Sequence, residues 1–409
     1  MHKASAGATI AGLDIGTTKT CAVVAASTAE GLELIGLGEA PSTGMRKGII
    51  TDLEETVRAI EAATERAERM AGVHISHVYV GVTGEHVQST NNRGVVAIRG
   101  EEREVVRGDV RRVVDASKLI NVGAERQIIH ALPRHFTIDG HDGVTDPIGM
   151  SGGRLEVDTH IVTGGNSFIT NVLKCVERAG LEPAGIVFEP LASSAATLLA
   201  EEQQIGVILL DIGGGTTDVA VYAAGSAVAT ATIPVGGNTI TNDIALGLGT
   251  TFGEAEKSKR VHASLESEPS GERQEFTALR LDGRTTRTVT AAELRGIVEA
   301  RVLEIFRMAR AAVAACLPRD VILAEVVLTG GGAHLHGIEH AAREFFAVPA
   351  RIGVPATIGG LSDASKQPEF ATAVGLVLFG PKSNGVLPNG RRSIKVFNIA
   401  KNWLSELWN

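Results

Sequence analysis

The chain has 409 residues, of which 44% are hydrophobic and 21% are charged, and its formal net charge at pH 7 is −8. Because domains usually contain roughly 100–200 residues, this length predicts two lobes, and the acidic balance argues against a nucleic-acid partner. The three cysteines stand far apart in apolar stretches, which argues against a disulfide framework or a zinc site and is typical of a reducing cytoplasm. The chain has neither a run of 18 apolar residues nor an N-terminal leader pattern, so we expect no membrane-spanning helix and no signal peptide.

The first part of the chain is predicted to be an α/β unit. Strands are expected at 8–16 and 20–26, on either side of a Gly-Thr-Thr turn. Apolar residues recur at helical spacing over 51–71, and Thr51 with Glu54 has the pattern of a capping box, so a helix is expected there. Gly72 ends this helix, and the next strand begins with HVYVGV.

Residues 84–163 differ in composition from the residues before them and are predicted to form a small inserted domain. Charged side chains crowd the stretch 99–112, a short helix is expected at 108–120, and strands are expected at 127–132 and 154–163.

After the insertion the chain returns to an α/β pattern. A polar stretch at 262–290 contains a predicted hairpin turn at Asp282-Gly283. The other predicted elements are, in order, a helix that begins near 170, a strand at 184–188, a helix from 192, a strand at 205–211, a helix at 291–316, a strand at 325–329 and a linker at 381–392.

One internal repeat is clear: LDIGTTKTCAVVA at 13–25 and LDIGGGTTDVAVY at 210–222 are both strand, glycine-rich turn, strand. Glycines let backbone N–H groups approach phosphate oxygens, hydroxyl groups add donors, and an acidic residue at the strand end can hold hydrated magnesium. Two ordinary Gly-Thr hairpins are the alternative, but that pattern would have to arise twice. The residues predicted to bind ATP here are Asp14, Gly16, Thr17, Thr18, Lys19, Asp211, Gly213, Gly214, Gly215, Thr216 and Thr217, with Asp14 and Asp211 on magnesium through water.

Two further glycine clusters extend this predicted site. Gly236 and Gly237 precede a helix that is expected to begin near Asn238. Three glycines follow the buried strand at 325–329, where a nucleoside could lie against the backbone near a helix N-terminus. A plain strand-to-helix turn is the alternative for this second cluster, which consists of Gly330, Gly331 and Gly332.

These four segments, in this order, resemble the ATPase superfamily of actin, heat-shock chaperones and sugar kinases. The resemblance implies an α/β, actin-like fold of two lobes, duplicated in the manner of ribonuclease H, with ATP and Mg²⁺ between the lobes. It also implies that Glu256 and Lys259 contact the ribose and the adenine, although a solvated helix face would explain this pair equally simply. Glu189 matches the position of a water-activating carboxylate, or else it has a structural role.

The inserted segment narrows the resemblance to one family. RQIIHALPRHFTIDG and DPIGMSGGRLEVDTHIVTG resemble subdomain IC of the FtsA family of bacterial cell-division proteins, and STGMRKGIITDLE, VLTGGGAHLHGIE and ATAVGL extend the likeness over almost the whole chain. The subdomains that it implies are IA at 1–83, 164–200 and 366–381, IC at 84–163, IIA at 201–235 and 304–365, IIB at 236–303, a linker at 382–392 and a terminal helix at 393–409.

The last 17 residues form an amphipathic pattern that is typical of an interfacial membrane helix. Both tryptophans of the chain lie there, and residues 391–409 carry four basic side chains against one acidic one. A helix docked on the protein's own core is the alternative. The residues expected to face an anionic lipid membrane are Phe397, Ile399, Trp403, Leu404, Leu407 and Trp408, with Lys395 and Lys401 on the polar side.

The resemblance implies a protein that binds ATP, polymerises with itself on the cytoplasmic side of the inner membrane at the division septum, and anchors FtsZ filaments. Subdomain IC would recruit other divisome proteins, and Arg301 in subdomain IIB would receive the acidic C-terminal peptide of FtsZ. The nucleotide would act as an assembly switch, with at most a slow ATPase activity. Two alternatives stand beside this one: a pilus-assembly relative, which should lack the terminal helix, and a small-metabolite kinase, which needs a catalytic carboxylate facing a polar cleft.

Overall fold

The structure is a computed structural model that describes residues 9–99, 103–266, 274–317, 321–356, 358–360 and 365–382. The predicted terminal helix at 393–409, and residues 383–392 of the predicted linker, lie outside the described residues.

The chain begins with a strand hairpin followed by a long helix. The N-cap of that helix is Asp52, whose Oδ1 accepts a 2.9 Å hydrogen bond from the Glu55 N–H. The predicted capping box is therefore wrong by one residue, because the Thr51 hydroxyl donates to the Gly44 carbonyl instead. Gly72 ends the helix in the left-handed region, with φ at 68°, as predicted. The elements are β1 (Thr9–Ile15), β2 (Lys19–Thr28), β3 (Gly31–Pro41), β4 (Met45–Arg46), β5 (Ile49–Ile50), α1 (Leu53–Ala71) and β6 (His77–Val82).

The inserted segment forms a separate antiparallel sheet of order β7-β10-β8-β9, covered on one face by one helix. Its own small core contains Val113 of the helix and Phe136, Leu155 and Val157 of the sheet. Its elements are β7 (Gln88–Ala97), α2 (Arg107–Ser117), β8 (Arg126–Ile138), β9 (His141–Val144) and β10 (Arg154–Gly165).

The rest of the chain completes the first lobe and forms the second. The predicted strand at 325–329 has those same bounds, and the predicted hairpin forms around Gly283. The elements are α3 (Asn166–Arg178), β11 (Glu182–Phe188), α4 (Glu189–Thr197), α5 (Ala200–Ile205), β12 (Val207–Ile212), β13 (Thr217–Ala223), β14 (Ser226–Ile233), α6 (Gly237–Leu248), α7 (Phe252–His262), β15 (Glu275–Leu279), β16 (Thr286–Thr290), α8 (Ala291–Ala314), β17 (Glu325–Thr329), α9 (Ile338–Phe346), β18 (Ala350–Ile352) and α10 (Ala371–Phe379).

The two lobes are built on sheets of the same topology. Their orders are β3-β2-β1-β6-β11 and β14-β13-β12-β17-β18. In each sheet the first three strands pair antiparallel, and the last two run parallel to the third. The repeat seen in the sequence is thus the third strand of each sheet together with its hairpin partner.

The central strands are buried on both faces, which explains their nearly continuous apolar sequences. Alternate residues of β12 pack into two different cores: Leu209 packs with the core of the first lobe, whereas Ile208 and Leu210 pack with the helices of the second lobe. The carboxyl ends of β1 and β12 therefore meet at the boundary between the lobes, which is where both glycine-rich turns lie.

Candidate functional site

Each lobe contributes one glycine-rich turn to the cleft, and both turns close in the same way. The Gly16 N–H donates to the Lys19 carbonyl at 3.0 Å, and the Gly213 N–H donates to the Thr216 carbonyl at 2.9 Å. The structure therefore brings together the two repeats that were predicted to grip one polyphosphate.

The two turns lie directly against each other in this structure. A Cβ atom added to Gly214 would lie 1.9 Å from Thr18 Oγ1, and one added to Gly215 would lie 2.5 Å from Thr17 Oγ1. Glycine is required at both positions because no side-chain carbon fits between the turns.

Four carboxylates surround the ends of these strands. In the first hairpin Asp14 lies opposite Cys21, whereas in the second hairpin Asp211 lies opposite Asp218. The fourth is Glu189, the first residue of α4. All four side chains are buried, at 4–9% exposure. Asp218 is not among the residues predicted from the sequence, although it lies beside the second glycine-rich turn at the position that Cys21 occupies in the first hairpin.

Burial raises the pKa of each of these carboxyl groups. For Asp14 the pKa rises to about 7, with Lys19 opposing the shift and Asp211 adding to it. The pKa of Asp218 also rises to about 7, through burial and the nearby charge of Asp211. Burial raises the pKa of Asp211 as well, and that of Glu189 rises well above its ordinary range because the other three carboxylates add to the effect of burial.

Hydroxyl groups from both lobes hold two of the four carboxylates. Asp211 Oδ2 accepts a 2.9 Å hydrogen bond from Thr372 of α10. Asp218 Oδ1 accepts one from Thr83 of the first lobe and one from Thr232 of the second. The Glu189 carboxylate accepts no hydrogen bond from another described residue, and it lines a small cavity behind the cleft. It is therefore a buried acid without a described partner.

Lys19, at the end of the first glycine-rich turn, is the basic residue whose charge acts on Asp14 of this cluster. Its Nζ lies 3.7 Å from the centre of the Phe370 ring and 3.5 Å from Glu39 Oε2. Because its charge opposes the rise in the Asp14 pKa, Lys19 acts on the cluster electrostatically while its ammonium group stays partly exposed.

The first turn of α6 supports the second glycine-rich turn. The Gly237 and Asn238 N–H groups donate to the Gly213 and Gly214 carbonyls at 2.9 and 2.8 Å, and a Cβ on Gly236 would lie 2.5 Å from the Gly213 carbonyl oxygen. Although these residues were predicted to bind nucleotide, their backbone amides are used within the protein to position the loop.

Glu256 and Lys259 form a 2.7 Å ion pair against the same helix turn. Lys259 Nζ donates to the Gly237 carbonyl at 3.0 Å. Burial alone would raise the pKa of Glu256, but hydrogen bonds from Lys259, Thr241 and Arg260 bring it down to about 2. The pair is thus an ordered, half-buried feature at the edge of the cleft rather than a freely solvated helix face.

The third glycine cluster approaches the site from β17. Gly330 has φ at 78°, and a Cβ there would lie 2.3 Å from Asp211 Oδ1. Gly331 is exposed and a Cβ there would meet no other atom, whereas Gly332 packs on Ile212. A short 3-10 turn, Gly331–His334, separates this cluster from α9.

Comparison with known proteins identifies the family. Residues 208–375 match the model of the cell division protein FtsA, and residues 84–163 match that of the SHS2 domain inserted in FtsA. The FtsA of Pseudomonas aeruginosa is 40% identical over 381 residues, which cover 93% of this chain and 91% of that protein. The FtsA of Borreliella burgdorferi is 38% identical over 408 residues, 98% of each chain.

This chain belongs to the FtsA family of cell division proteins.

Solved structures confirm the actin-like fold of this FtsA-family chain. The PilM–PilN type IV pilus biogenesis complex contains a chain with a TM-score of 0.65 at 18% identity, covering 91% of this chain and 98% of that one. MreB5 of Spiroplasma citri bound to AMPPNP gives a TM-score of 0.55 at 15% identity, covering 91% and 96%. Identities this low carry the fold alone, so the pilus complex gives no support to the pilus-assembly alternative.

Arg301, the residue predicted to bind a partner of this FtsA-family chain, is already paired within the protein. Its Nε and Nη2 atoms lie 2.5 and 3.1 Å from the two carboxylate oxygens of Asp243 on α6, and it also contacts Glu304. An acidic ligand would have to compete with both carboxylates.

Among the described residues, no helix combines the length and the apolar character needed to cross a bilayer.

Proposed function

We propose that this FtsA-family protein binds ATP and magnesium in the cleft between its lobes. The observation that carries the proposal is the duplicated hairpin, which aims two glycine-rich turns and four buried carboxylates at one place. MreB5 of Spiroplasma citri, which shares the fold, was solved with AMPPNP and with ADP.

The donor set suits magnesium bound through water. Burial and mutual repulsion raise the pKa of the buried carboxyl groups, so a divalent cation that favours their ionised form would relieve an existing cost. Within the described parts of the chain, no group of three or more His, Cys, Asp or Glu side chains is arranged to hold a metal ion. Magnesium bound to a nucleotide keeps several waters and is held mainly by phosphate oxygens, so it needs few protein ligands.

In this proposal Asp14 and Asp211 hold the waters of magnesium. The residues from Gly16 to Lys19 and from Gly213 to Thr217 contact the phosphates, and the turns must part to admit them. The nucleoside would lie at Gly331. The ion pair of Glu256 and Lys259 would contact the ribose and the adenine.

Isothermal titration calorimetry tests the site through Asp211→Ala. The variant should bind magnesium–ATP at least tenfold more weakly, which corresponds to about 1.4 kcal/mol. Asp115→Ala, on the exposed surface of α2, is the matched control and should bind like the unchanged protein. Equal affinity of the Asp211 variant and the control would reject the site.

We infer that hydrolysis is slow and that nucleotide acts as a conformational switch. A general base must be held so that it faces the attacking water, whereas the Glu189 carboxylate is buried, has a raised pKa and accepts no hydrogen bond from another described residue. Steady-state turnover should therefore fall below the usual enzyme range of roughly 1–1000 per second. A rate inside that range would overturn this inference.

We propose further that the protein polymerises on the cytoplasmic face of the inner membrane at the division septum and anchors FtsZ filaments there. Family membership and the amphipathic segment at 393–409 support this. Subdomain IC, expected at 84–163, would meet other divisome proteins, and subdomain IIB, expected at 236–303, would receive FtsZ. A fluorescent fusion should locate to the septum only with residues 391–409 present; septal location of the truncated protein would contradict membrane anchoring by this segment.

A further inference from the structure

Side chains of the inserted domain close the free edge of the second lobe's sheet. β14 is the edge strand of that sheet, and β7 is the edge strand of the inserted sheet. Ser89 Oγ donates to the Thr230 carbonyl at 2.6 Å, and Asn91 Nδ2 donates to the Val228 carbonyl at 3.0 Å. Ser89 pairs with Thr230 and Asn91 pairs with Val228, so β7 and β14 run antiparallel to each other. Side-chain hydrogen bonds join them where two strands of one sheet would have backbone hydrogen bonds.

His160 of β10 completes this contact, and the network determines its tautomer. Both Asn91 Nδ2 hydrogens go to carbonyl oxygens, those of Val228 and Cys316, so Asn91 Oδ1 faces His160 Nδ1 as an acceptor at 2.8 Å. Nδ1 must therefore carry the proton. His160 Nε2 then accepts from the Thr230 hydroxyl at 2.9 Å. Burial keeps the ring neutral by lowering its pKa to about 3.

The same strand connects this contact to the carboxylate cluster. Thr230 and Thr232 lie two residues apart on β14 and so share a face. Thr230 bonds to the inserted domain, whereas Thr232 bonds to Asp218. On the other side of the boundary, Thr83 bonds to Asp218 from the segment that leads directly into β7. We call these two groups of contacts, which β14 joins, the polar seam; its members are Thr83, Ser89, Asn91, His160, Thr230 and Thr232.

Three of the six residues of the polar seam are buried, and Ser89, Asn91 and Thr232 are partly exposed. His160 is fully buried, Thr230 is 3% exposed and Thr83 is 7% exposed. Breaking one contact would leave a buried donor or acceptor without a partner, which is costlier than exchanging it for water at a surface. The inserted domain is thus tied to the second lobe, although the chain enters and leaves it through the first.

We propose that the polar seam couples occupancy of the cleft to the position of the inserted domain on the second lobe. The coupling rests on the nucleotide and magnesium binding proposed for the cleft. A polyphosphate must part Thr18 from Gly214, which shifts β13 and β14 relative to β6. Asp218 is held by one threonine from each of these two sides, so the same movement reaches the polar seam.

A disulfide across the seam tests this directly. Ser89 Oγ lies 4.0 Å from the sulfur of the native Cys316, and the other two cysteines are buried. Ser89→Cys in the full chain should therefore oxidise to a disulfide with Cys316 that locks the inserted domain to the second lobe. Magnesium–ATP affinity, measured by calorimetry, should differ at least about fivefold between the oxidised and the reduced forms of this one variant. By linkage, magnesium–ATP should change the extent of disulfide formation in a glutathione redox buffer in the matching direction.

The double variant Ser89→Cys/Cys316→Ser, treated with the same oxidant, is the matched control and should show no difference. Equal affinity of the oxidised and reduced forms would overturn the coupling while leaving ATP binding intact. Failure of the disulfide to form in the ligand-free protein would overturn the seam itself. If neither the reduced variant nor the unchanged protein binds magnesium–ATP, the proposed site fails and the coupling fails with it.

Discussion

Gly214 of the second lobe lies so close to Thr18 of the first that a Cβ atom on it would fall 1.9 Å from the threonine hydroxyl oxygen. This contact joins the two halves of an internal duplication at the point where their turns meet. It also means that no additional side chain fits between the turns as they lie in this structure.

Gly214→Ala tests this contact. The methyl group must push Thr18 away, so the ligand-free protein should lose about 1–3 kcal/mol of unfolding free energy. Magnesium–ATP should also bind more weakly, because the methyl group occupies the space that phosphate oxygens need beside the backbone. Urea denaturation and calorimetry measure the two effects. Gly253→Ala, with open space around its Cβ position in α7, is the control. Equal stability and affinity of the two variants would contradict the contact.

The buried carboxyl groups of Asp14 and Asp218 predict that the stability of the ligand-free protein depends on pH. The carboxyls of Asp14 and Asp218 have a pKa of about 7 in the ligand-free fold against an ordinary 3.8, so the folded protein holds protons that the unfolded chain loses between about pH 4 and 7. Their contribution to stability is therefore present below pH 4 and is lost as the pH rises through 7.

Because magnesium favours ionised carboxylates, its binding with ATP should release protons and tighten between pH 6 and pH 8. Calorimetry at pH 6.5 in two buffers of different ionisation enthalpy measures the release. Asp218→Asn should lower it by up to about one proton. Release unchanged in this variant would show that Asp218 does not titrate with the site.

Because Arg301 is already paired with Asp243, substitutions of these two residues should have opposite effects on the binding of an acidic peptide. Arg301→Glu should abolish binding of an acidic FtsZ C-terminal peptide, whereas Asp243→Ala should tighten it severalfold by freeing the guanidinium group from its bidentate partner. Fluorescence anisotropy with a labelled peptide measures both, and the affinity should fall as salt is added. If both variants bind like the unchanged protein, the peptide binds elsewhere.

The terminal segment should bind anionic vesicles reversibly. Burial of a large apolar side chain contributes about 1.5–3 kcal/mol when it is complete, so Trp403→Glu should release the protein from the vesicles while nucleotide binding stays unchanged. Trp403 and Trp408 are the only tryptophans of the chain, so a blue shift of fluorescence on adding lipid reports their insertion. Sedimentation of the 1–390 protein with vesicles, or no blue shift, would contradict the membrane role.

Much of the fold was predictable because local patterns agreed with tertiary burial. The strand at 325–329 was predicted with its observed bounds because four apolar or β-forming residues, Val326 to Thr329, lead directly into a glycine cluster. The start of α1 was misplaced by one residue because Thr51 and Asp52 are both good capping residues. Only the folded structure shows that the Thr51 hydroxyl donates its hydrogen bond to the Gly44 carbonyl.

Some residues of the candidate site could likewise be predicted from the sequence, whereas others became apparent only in the folded structure. Repetition of Asp-Ile-Gly some 200 residues apart was enough to single out Asp14, Asp211 and the two turns. Asp218 was missed because sequence spacing does not reveal which side chain lies across the hairpin from Asp211. Gly236, Gly237 and Asn238 are predicted from the sequence to bind nucleotide, and only the folded structure shows that the Gly237 and Asn238 amides donate to the Gly213 and Gly214 carbonyls.

What the sequence determined by itself is the family, the duplicated phosphate-loop pattern and the amphipathic character of residues 393–409, since motifs and periodicity are properties of neighbours along the chain. The tertiary structure alone decided which carboxylates share one buried space, that Arg301 is already paired, and that the inserted domain is fastened to the lobe it does not emerge from. These depend on residues such as Thr83 and Asp218, 135 positions apart, that meet only when two sheets pack together and water is excluded between them.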